Sequence, residues 1–569
     1  MTILPVQPIA LRLQQVFQQW PDDALVTWLD RRGRPVQVFT GSLLLQEAMV
    51  RAAMLEAAVP TRASCLLVMP AGPEFLLTLL GCLFAGLVAI PLPEPSSGAH
   101  AERLAGVLQT SGASAVLCVS TNSDTLAALL TEARPETNCQ LIAMDVAERT
   151  NDLPACAGML HEADETVIVQ YTSGSTRSPK GIALSSRNVL SNATLIQQEW
   201  RLAPGTVSVN WLPHYHDMGL LGGLLYPLLI GEGFHSVQMS PLAFLQHPMR
   251  WLQAISEFRA AVSGGPAFAL GLCVDHITDD QLRQMDLSCW KTAFCGAEPI
   301  SMDALERFRL RFHPAGFEAD ALYATYGLAE STLFVAGHRL WPGEATPQKP
   351  GQTRIAPSRL SARTRALFRI VDPETLQPVP DGTIGEVWVT GPSVSCGYLP
   401  AETGTDEVST FGVTLPGDTI AYLRSGDLGW VSSTALYISG RRKDMLIANG
   451  VNVAATDVEW LAAEHEPLLN PLAAAAVALR VDEGCEGAAL MIEVRTSNAA
   501  LPQPSALADR IRKAVHATYG IDLRQIQFLR RGSLERTTSG KIRRSKVAEQ
   551  LKAGHAYPQA ATTRDAADN

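Results

Sequence analysis

The chain has 569 residues and no paired-cysteine motif. Its ten cysteines (Cys65, Cys82, Cys118, Cys139, Cys156, Cys273, Cys289, Cys295, Cys396 and Cys485) stand singly. That spacing excludes a zinc ribbon or a disulfide scaffold and fits reduced thiols. A basic excess is missing too. Lys and Arg total 46 against 56 Asp and Glu, a net charge of −10, so no nucleic-acid partner is expected. The opening MTILPVQPIALRLQQ lacks a basic segment followed by an apolar one, so no signal peptide is read and a cytoplasmic location is expected. One long uncharged run exists, from Phe75 to Pro93, and it is near membrane-spanning length. Gly86 reads as a helix C-cap within it, and VAIPL follows as a buried strand. Helix, glycine and strand predict one step of a parallel α/β layer, not a transmembrane segment. The common P-loop is absent, because no Gly-Lys-Ser/Thr heads a helix. His214, His216 and Asp217 have no further ligand cluster near them in sequence, which argues against a metal site.

What is present is ample core material, 47% hydrophobic residues, in a chain long enough for about two to four domains. From Ala63 to about Met144 short apolar runs alternate with helical spacing, which predicts a doubly wound α/β fold. From Phe368 the chain turns rich in β-branched residues, Gly and Pro, and a small β-barrel-like subdomain is expected at about 350–440. Charges cluster as RRKD near 441–444, and beyond them a compact α+β pattern continues to about residue 554. The predicted organisation is an N-terminal domain over 1–440, a hinge at 441–445, a C-terminal domain over 446–554 and a disordered tail over 555–569.

The chemistry centres on YTSGSTRSPKGI, Tyr171 to Ile182. Thr172, Ser173, Gly174, Ser175 and Thr176 precede Lys180, between two strand-like runs. Glycine lets backbone N–H groups turn toward an anion, and the hydroxyls and lysine add donors and charge. This predicts a hairpin-type polyphosphate loop, with a Ser/Gly-rich surface turn as the alternative. Further on, VSGGPAF, FCGAEPI and LYATYGLAEST each read as a strand running out into a glycine-containing turn, where open α/β sheets hold ligands.

YTSGSTRSPKG, YGLAES, RSGDLG, GRRKD and RTTSGK occur in the order found in the adenylate-forming superfamily. That superfamily includes acyl-CoA synthetases, luciferases and nonribosomal adenylation domains. Arg177 in STRSPKG, together with WLPHYHDMGL and CGAEPI, resembles the fatty acyl-AMP ligases most. The resemblance spans about residues 10–552 and implies a large N-terminal domain and a small C-terminal domain that rotates. It implies ATP and Mg²⁺, activation of a fatty acid to an acyl-adenylate, and transfer to the phosphopantetheine arm of an acyl carrier protein. The alternative acceptor is CoA.

By resemblance Lys541 is the catalytic lysine, and Thr172 to Thr176 with Lys180 hold the phosphates. Glu330 is the magnesium-binding acid. Asp427 takes the ribose hydroxyls and Arg441 adds a contact near them. Tyr326 and Gly327, with Gly296, Ala297 and Glu298, form the adenine slot. His216 and Asp217 sit where the adenylate meets the acyl tunnel, with Trp211, Met218, Leu220 and Phe268 as wall candidates. Lys443 is the hinge, and Gly450 lies on the face presented for thioester formation. Three departures bear on the acceptor. Ala454-Ala455 replace an aromatic-proline pair, Cys295 stands where asparagine is common, and Trp341 to Leu367 is short for the ligases' insertion.

Overall fold

The computed structural model describes residues 4–95, 98–133, 139–146, 161–171, 180–298, 300–340, 355–399, 410–432, 434–448, 451–481, 485–495, 500–537 and 541–562. Two large sheets organise the N-terminal part. The first is eight-stranded, in the order Ala336–Arg339, Leu322–Tyr326, Thr292–Gly296, Val262–Pro266, Val207–Asn210, His235–Gln238, Ala24–Leu29, Pro35–Thr40. It is parallel except at its two edge strands. The second is seven-stranded, in the order Tyr398–Leu399, Gly181–Ser185, Thr166–Tyr171, Val88–Leu92, Ser64–Val68, Ala115–Cys118, Gln140–Ala143.

The uncharged run near residue 75 packs between these sheets. Pro73–Phe84 is a helix, Gly86 takes a φ of +64°, and Val88–Leu92 is a strand buried at every position. Glycine adopts that left-handed conformation without the Cβ clash other residues meet. The helix belongs to the hydrophobic cluster that also holds Val26 of the first sheet and Leu67 and Ile168 of the second. Its lack of charge is thus the signature of two-sided burial. No helix among the described residues is long and apolar enough to cross a membrane.

A six-stranded antiparallel sheet follows, built on the long hairpin Ala421–Ser432 and Ala435–Arg441. Here the barrel-like expectation is corrected. The pairing path ends at Ser358–Arg359 on one side and Phe368–Val371 on the other, and these short end strands do not pair with each other. The sheet is open among the described residues.

The C-terminal part has the hairpin Met445–Ala448 and Val451–Ala454, then a three-stranded sheet of Leu469–Val481, Cys485–Val494 and Leu523–Leu529. Helices Ala455–Glu464 and Pro504–Tyr519 pack on it around Val458, Leu490 and Ile511. The tail differs from expectation. Residues 555–562 are laid onto this domain instead of being disordered. Tyr557 is buried and its hydroxyl donates to Gln550 Oε1 at 2.6 Å. Ala560 N donates to Phe528 O, and Ala561–Thr562 pairs with Ala500–Leu501. The small polar composition hid one aromatic anchor and a set of backbone bonds. Residues 563–569 lie outside the described residues.

Candidate active site

The strands flanking the phosphate-loop candidate pair antiparallel, Tyr171 opposite Gly181 and Gln170 opposite Ile182, as a hairpin requires. Thr172, Ser173, Gly174, Ser175 and Thr176 lie outside the described residues, as do Arg177 and Gly450. Gly181 is needed for packing, since a Cβ there would stand 2.7 Å from Val169 Cγ1. Lys180, beside it, holds its Nζ 5.2 Å from the ring centroid of Tyr398. Tyr398 pairs opposite Ile182 and donates its hydroxyl to Glu330 Oε1 at 3.0 Å. Burial raises the Glu330 pKa, while the Tyr398 hydrogen bond and the charge of Arg441 work the other way.

The Asp427 group comes from strand register. Asp427 and Arg441 are direct partners across the long hairpin, and Arg441 Nε donates to Asp427 Oδ1 at 3.1 Å. The Tyr326 hydroxyl donates to Asp427 Oδ2 at 3.0 Å. The charge of Asp427 raises the pKa of Arg441, and burial followed by Asp427 raises that of Tyr326. Behind this group Glu386, buried, takes the Arg424 guanidinium on Oε2 and the Gly426 N–H on Oε1. This fixes the turn in RSGDLG that aims Asp427. Two residues past Arg441, Lys443 sits in the short helical turn Arg442–Asp444 that leads into the C-terminal part. Burial and Arg441 lower its pKa.

Lys541 faces the same space. A backbone clasp holds it: Thr537 N donates to Lys541 O at 2.7 Å, and Lys541 N donates to Thr537 Oγ1 at 3.1 Å. Burial and Arg441 lower its pKa, against the pull of Asp217, Glu298 and Asp427. Those carboxylates come from three separate stretches of chain. Ala297, in the turn that delivers Glu298, has a φ of +73°. A non-glycine residue in that region stores strain of the kind found at functional sites. At Gly296 a Cβ would fall 2.3 Å from Thr325 Oγ1, and at Gly327 only 1.7 Å from Leu333 O.

The WLPHYHDMGL stretch ends in a π-helix, Met218–Leu225, a form often seen at functional sites. Asp217 caps it, accepting from Met218 N at 2.8 Å, and burial raises its pKa. His214 is enclosed by the rings of Trp28 and Phe75 and hydrogen-bonds Gln238. Burial pushes its pKa down to about 4, so it is a neutral core histidine. Among the described residues no cluster of three metal-ligating side chains occurs.

One cavity of about 1190 Å³ unites these groups. Lys180, Ala297, Glu298, Tyr326, Gly327, Glu330, Asp427, Arg441, Lys443 and Lys541 line it, as do His216, Asp217, Trp211, Met218 and Phe268. Gly296 and Leu220 do not; Leu220 is buried in the core behind the π-helix. The cavity also continues past Gly222 and Gly223 of the π-helix to Ile196, Trp200, Phe234 and Phe294. A Cβ at Gly223 would fall 2.2 Å from the Asn210 side chain. Sequence reading, which allowed for a tunnel beside Gly219, Gly222 and Gly223, did not find Ile196, Trp200 or Phe234 as its wall, and it missed Tyr398. A wall assembled from a helix end and the starts of distant strands leaves no local pattern.

The profile of the AMP-binding enzyme family matches residues 13–399. The medium-chain-fatty-acid–[acyl-carrier-protein] ligase JamA of Moorena producens is 32% identical over 526 residues, covering 88% of this chain and 87% of its own. A structure from work on fatty acyl-adenylate ligases of E. coli and L. pneumophila superposes with a TM-score of 0.81 at 26% identity, covering 97% of this chain and 99% of its own. The L. pneumophila fatty acyl-adenylate ligase in complex with acyl adenylate and pyrophosphate gives a TM-score of 0.68 at 29% identity, covering 96% of each chain.

Proposed function

From its membership of the AMP-binding enzyme family, we propose that this chain activates a fatty acid with ATP and hands the acyl group to the phosphopantetheine thiol of a separate acyl carrier protein. The observation that carries the reading is the cavity itself. A lysine, a hydrogen-bonded aspartate and a half-buried glutamate share one space with an apolar branch able to take a hydrocarbon chain.

In the first step a carboxylate oxygen of the acid bonds to the α-phosphorus of ATP. The bond from that phosphorus to the bridging oxygen breaks, and pyrophosphate leaves with the electron pair. Negative charge builds on the phosphoryl oxygens, so catalysis consists mainly of positioned cations and donors. Lys541 would bridge the incoming carboxylate and the α-phosphate. Thr172 to Thr176 and Lys180 would hold the departing phosphates. Asp427 keeps one lone pair on each oxygen beyond its bonds to Arg441 and Tyr326, enough to accept from the ribose hydroxyls. Tyr326 and the Ala297–Glu298 turn would flank the base. Glu330 fits Mg²⁺, which takes one or two carboxylates plus substrate phosphates, and the ion would neutralise phosphate charge. His216 and Asp217 stand where the apolar branch opens toward Lys541. In the second step the carrier thiol attacks the acyl carbonyl and AMP leaves. Rotation about Lys443 would withdraw Lys541 and present Gly450.

The carrier, and not CoA, is favoured by the Moorena relative, a medium-chain-fatty-acid–[acyl-carrier-protein] ligase, and by basic residues on the C-terminal part. Arg524, Arg530, Arg531 and Lys552 are exposed there, whereas Arg544 turns inward onto buried Glu459. Incubation with ATP, Mg²⁺, a fatty acid and either CoA or holo-carrier separates the acceptors. Acyl-carrier formation is expected, and substantial acyl-CoA would overturn the carrier assignment.

A further inference from the structure

The apolar branch has a definite far end. The parallel strands run out toward Lys541 at their C-terminal ends, where Tyr326 and Ala297 stand. The branch reaches back along them to Phe294, Ser208 and Val262, near the strand starts. Val262 is four residues behind Pro266, a depth of roughly 13 Å at about 3.3 Å per strand residue. Trp200, the residue that ends helix Ser186–Glu199, lines this end together with Leu202 and Phe234. Its indole stacks on Phe294 at 5.3 Å with planes 25° apart, and packs against Tyr323 at 5.5 Å and edge-on to Phe334 at 6.4 Å. A stacked aromatic group of this kind has little freedom to swing aside.

The same indole carries one of the cavity's unpaired polar atoms, the others among the described residues being Trp211 Nε1, Gln170 Oε1 and Glu298 Oε1. Ser208, Asn210 and Tyr226 line the branch and are hydrogen-bonded, to Ser236, Gln238 and Asn192 respectively. Trp200 Nε1 is buried with no acceptor among the described residues. A buried donor without an acceptor is disfavoured, and a site that holds one favours a ligand able to accept from it.

We propose that Trp200 sets the acyl-chain specificity of this site: it limits chain length, and its N–H selects acids that carry a hydrogen-bond acceptor, such as a hydroxyl or carbonyl oxygen, near the distal end. The inference rests on the acyl-adenylate reading of the cavity. Trp200 is a specificity-determining residue and takes no part in the chemistry at phosphorus.

The test is acid-dependent pyrophosphate release across straight-chain acids of increasing length, and across same-length acids bearing a terminal hydroxyl or keto group. Wild type, Trp200→Ala and Trp200→Phe are compared. Wild type should show a sharp upper length limit and a preference of about three- to tenfold in kcat/KM for the oxygenated acid, the range of one hydrogen bond. Trp200→Ala should move the limit to longer chains. Trp200→Phe should keep the limit and lose the preference. Retained activity with an unmoved length limit in Trp200→Ala overturns the length assignment. An oxygenated-acid preference that is absent in wild type, or that survives in Trp200→Phe, overturns the polar one. No pyrophosphate release by wild type with any acid would instead sink the acyl-adenylate reading beneath both.

Discussion

At the scale of single residues, the site is a set of groups displaced from their ordinary ionisation in opposed directions. Burial lowers the Lys541 pKa and raises that of Glu330. In its proposed role Lys541 must be charged to meet developing phosphate charge, so activity should fall as pH rises through its lowered pKa. In its proposed role Glu330 must be ionised to hold a cation, so activity should fall as pH drops through its raised pKa. The adenylation pH profile should therefore be a bell narrower on both sides than free lysine and glutamate would give. Lys541→Ala should remove the alkaline limb together with nearly all activity, a loss of at least about 10²-fold, with the fold and ATP binding intact. Adenylation within a few-fold of wild type would refute the lysine assignment. These residues were legible in the sequence because each lies in a short motif whose chemistry is local. Tyr398 was not. Its bond to Glu330 depends on a two-residue strand, Tyr398–Leu399, joining the edge of a sheet more than 200 residues away in sequence.

At the scale of elements, sequence pattern found most helices and strands, because burial on one or two faces leaves a period or an uncharged run. Pairing was harder to see. Asp427 and Arg441 were each visible, but their contact follows from a hairpin register that includes a bulge between Leu428 and Gly429. The support beneath that hairpin was missed altogether. Glu386 is buried and receives Arg424, the Trp388 indole N–H and the Gly426 N–H. Glu386→Ala strands a guanidinium that is itself mostly buried, a loss of about 3–5 kcal/mol for a buried pair broken on one side. Thermal unfolding should show a large fall in Tm, and KM for ATP should rise as Asp427 loses its fixed turn. An unchanged Tm would contradict this account of the element. The tail makes a similar case. Truncation after Gly554 removes Tyr557 from the cluster of Leu529, Leu534 and Val547, and should lower stability by a few kcal/mol, read by denaturant titration.

At the scale of the whole molecule, the C-terminal part touches the N-terminal part at more than Lys541. Arg495 Nη1 stands 3.8 Å from Asp275 Oδ2, and Arg307 approaches the same carboxylate at 3.3 Å. Leu472 packs on the N-terminal cluster beside Gly271. The ion pair is partly exposed and worth under about 1 kcal/mol. Arg495→Ala should thus slow adenylation at most a few-fold, leave Tm unchanged and lose its effect in high salt. A loss beyond tenfold would mean the contact does more than hold two surfaces together. None of this could be read from the sequence, because the partners lie some 200 residues apart and neither belongs to a motif.

The cross-strand pair of Asp427 and Arg441 has one more implication. In the proposed function Arg441 would be a ribose-side contact, and it is the last residue of the strand that runs into the turn holding Lys443. Nucleotide occupancy and the angle of the pivot therefore share a part. By thermodynamic reciprocity, whatever factor a rotation about Lys443 imposes on nucleotide affinity, nucleotide must impose on the rotation. On the proposed reading, nucleotide would then be a ligand of the conformational equilibrium itself, acting through a contact and a hinge that only Arg442 separates.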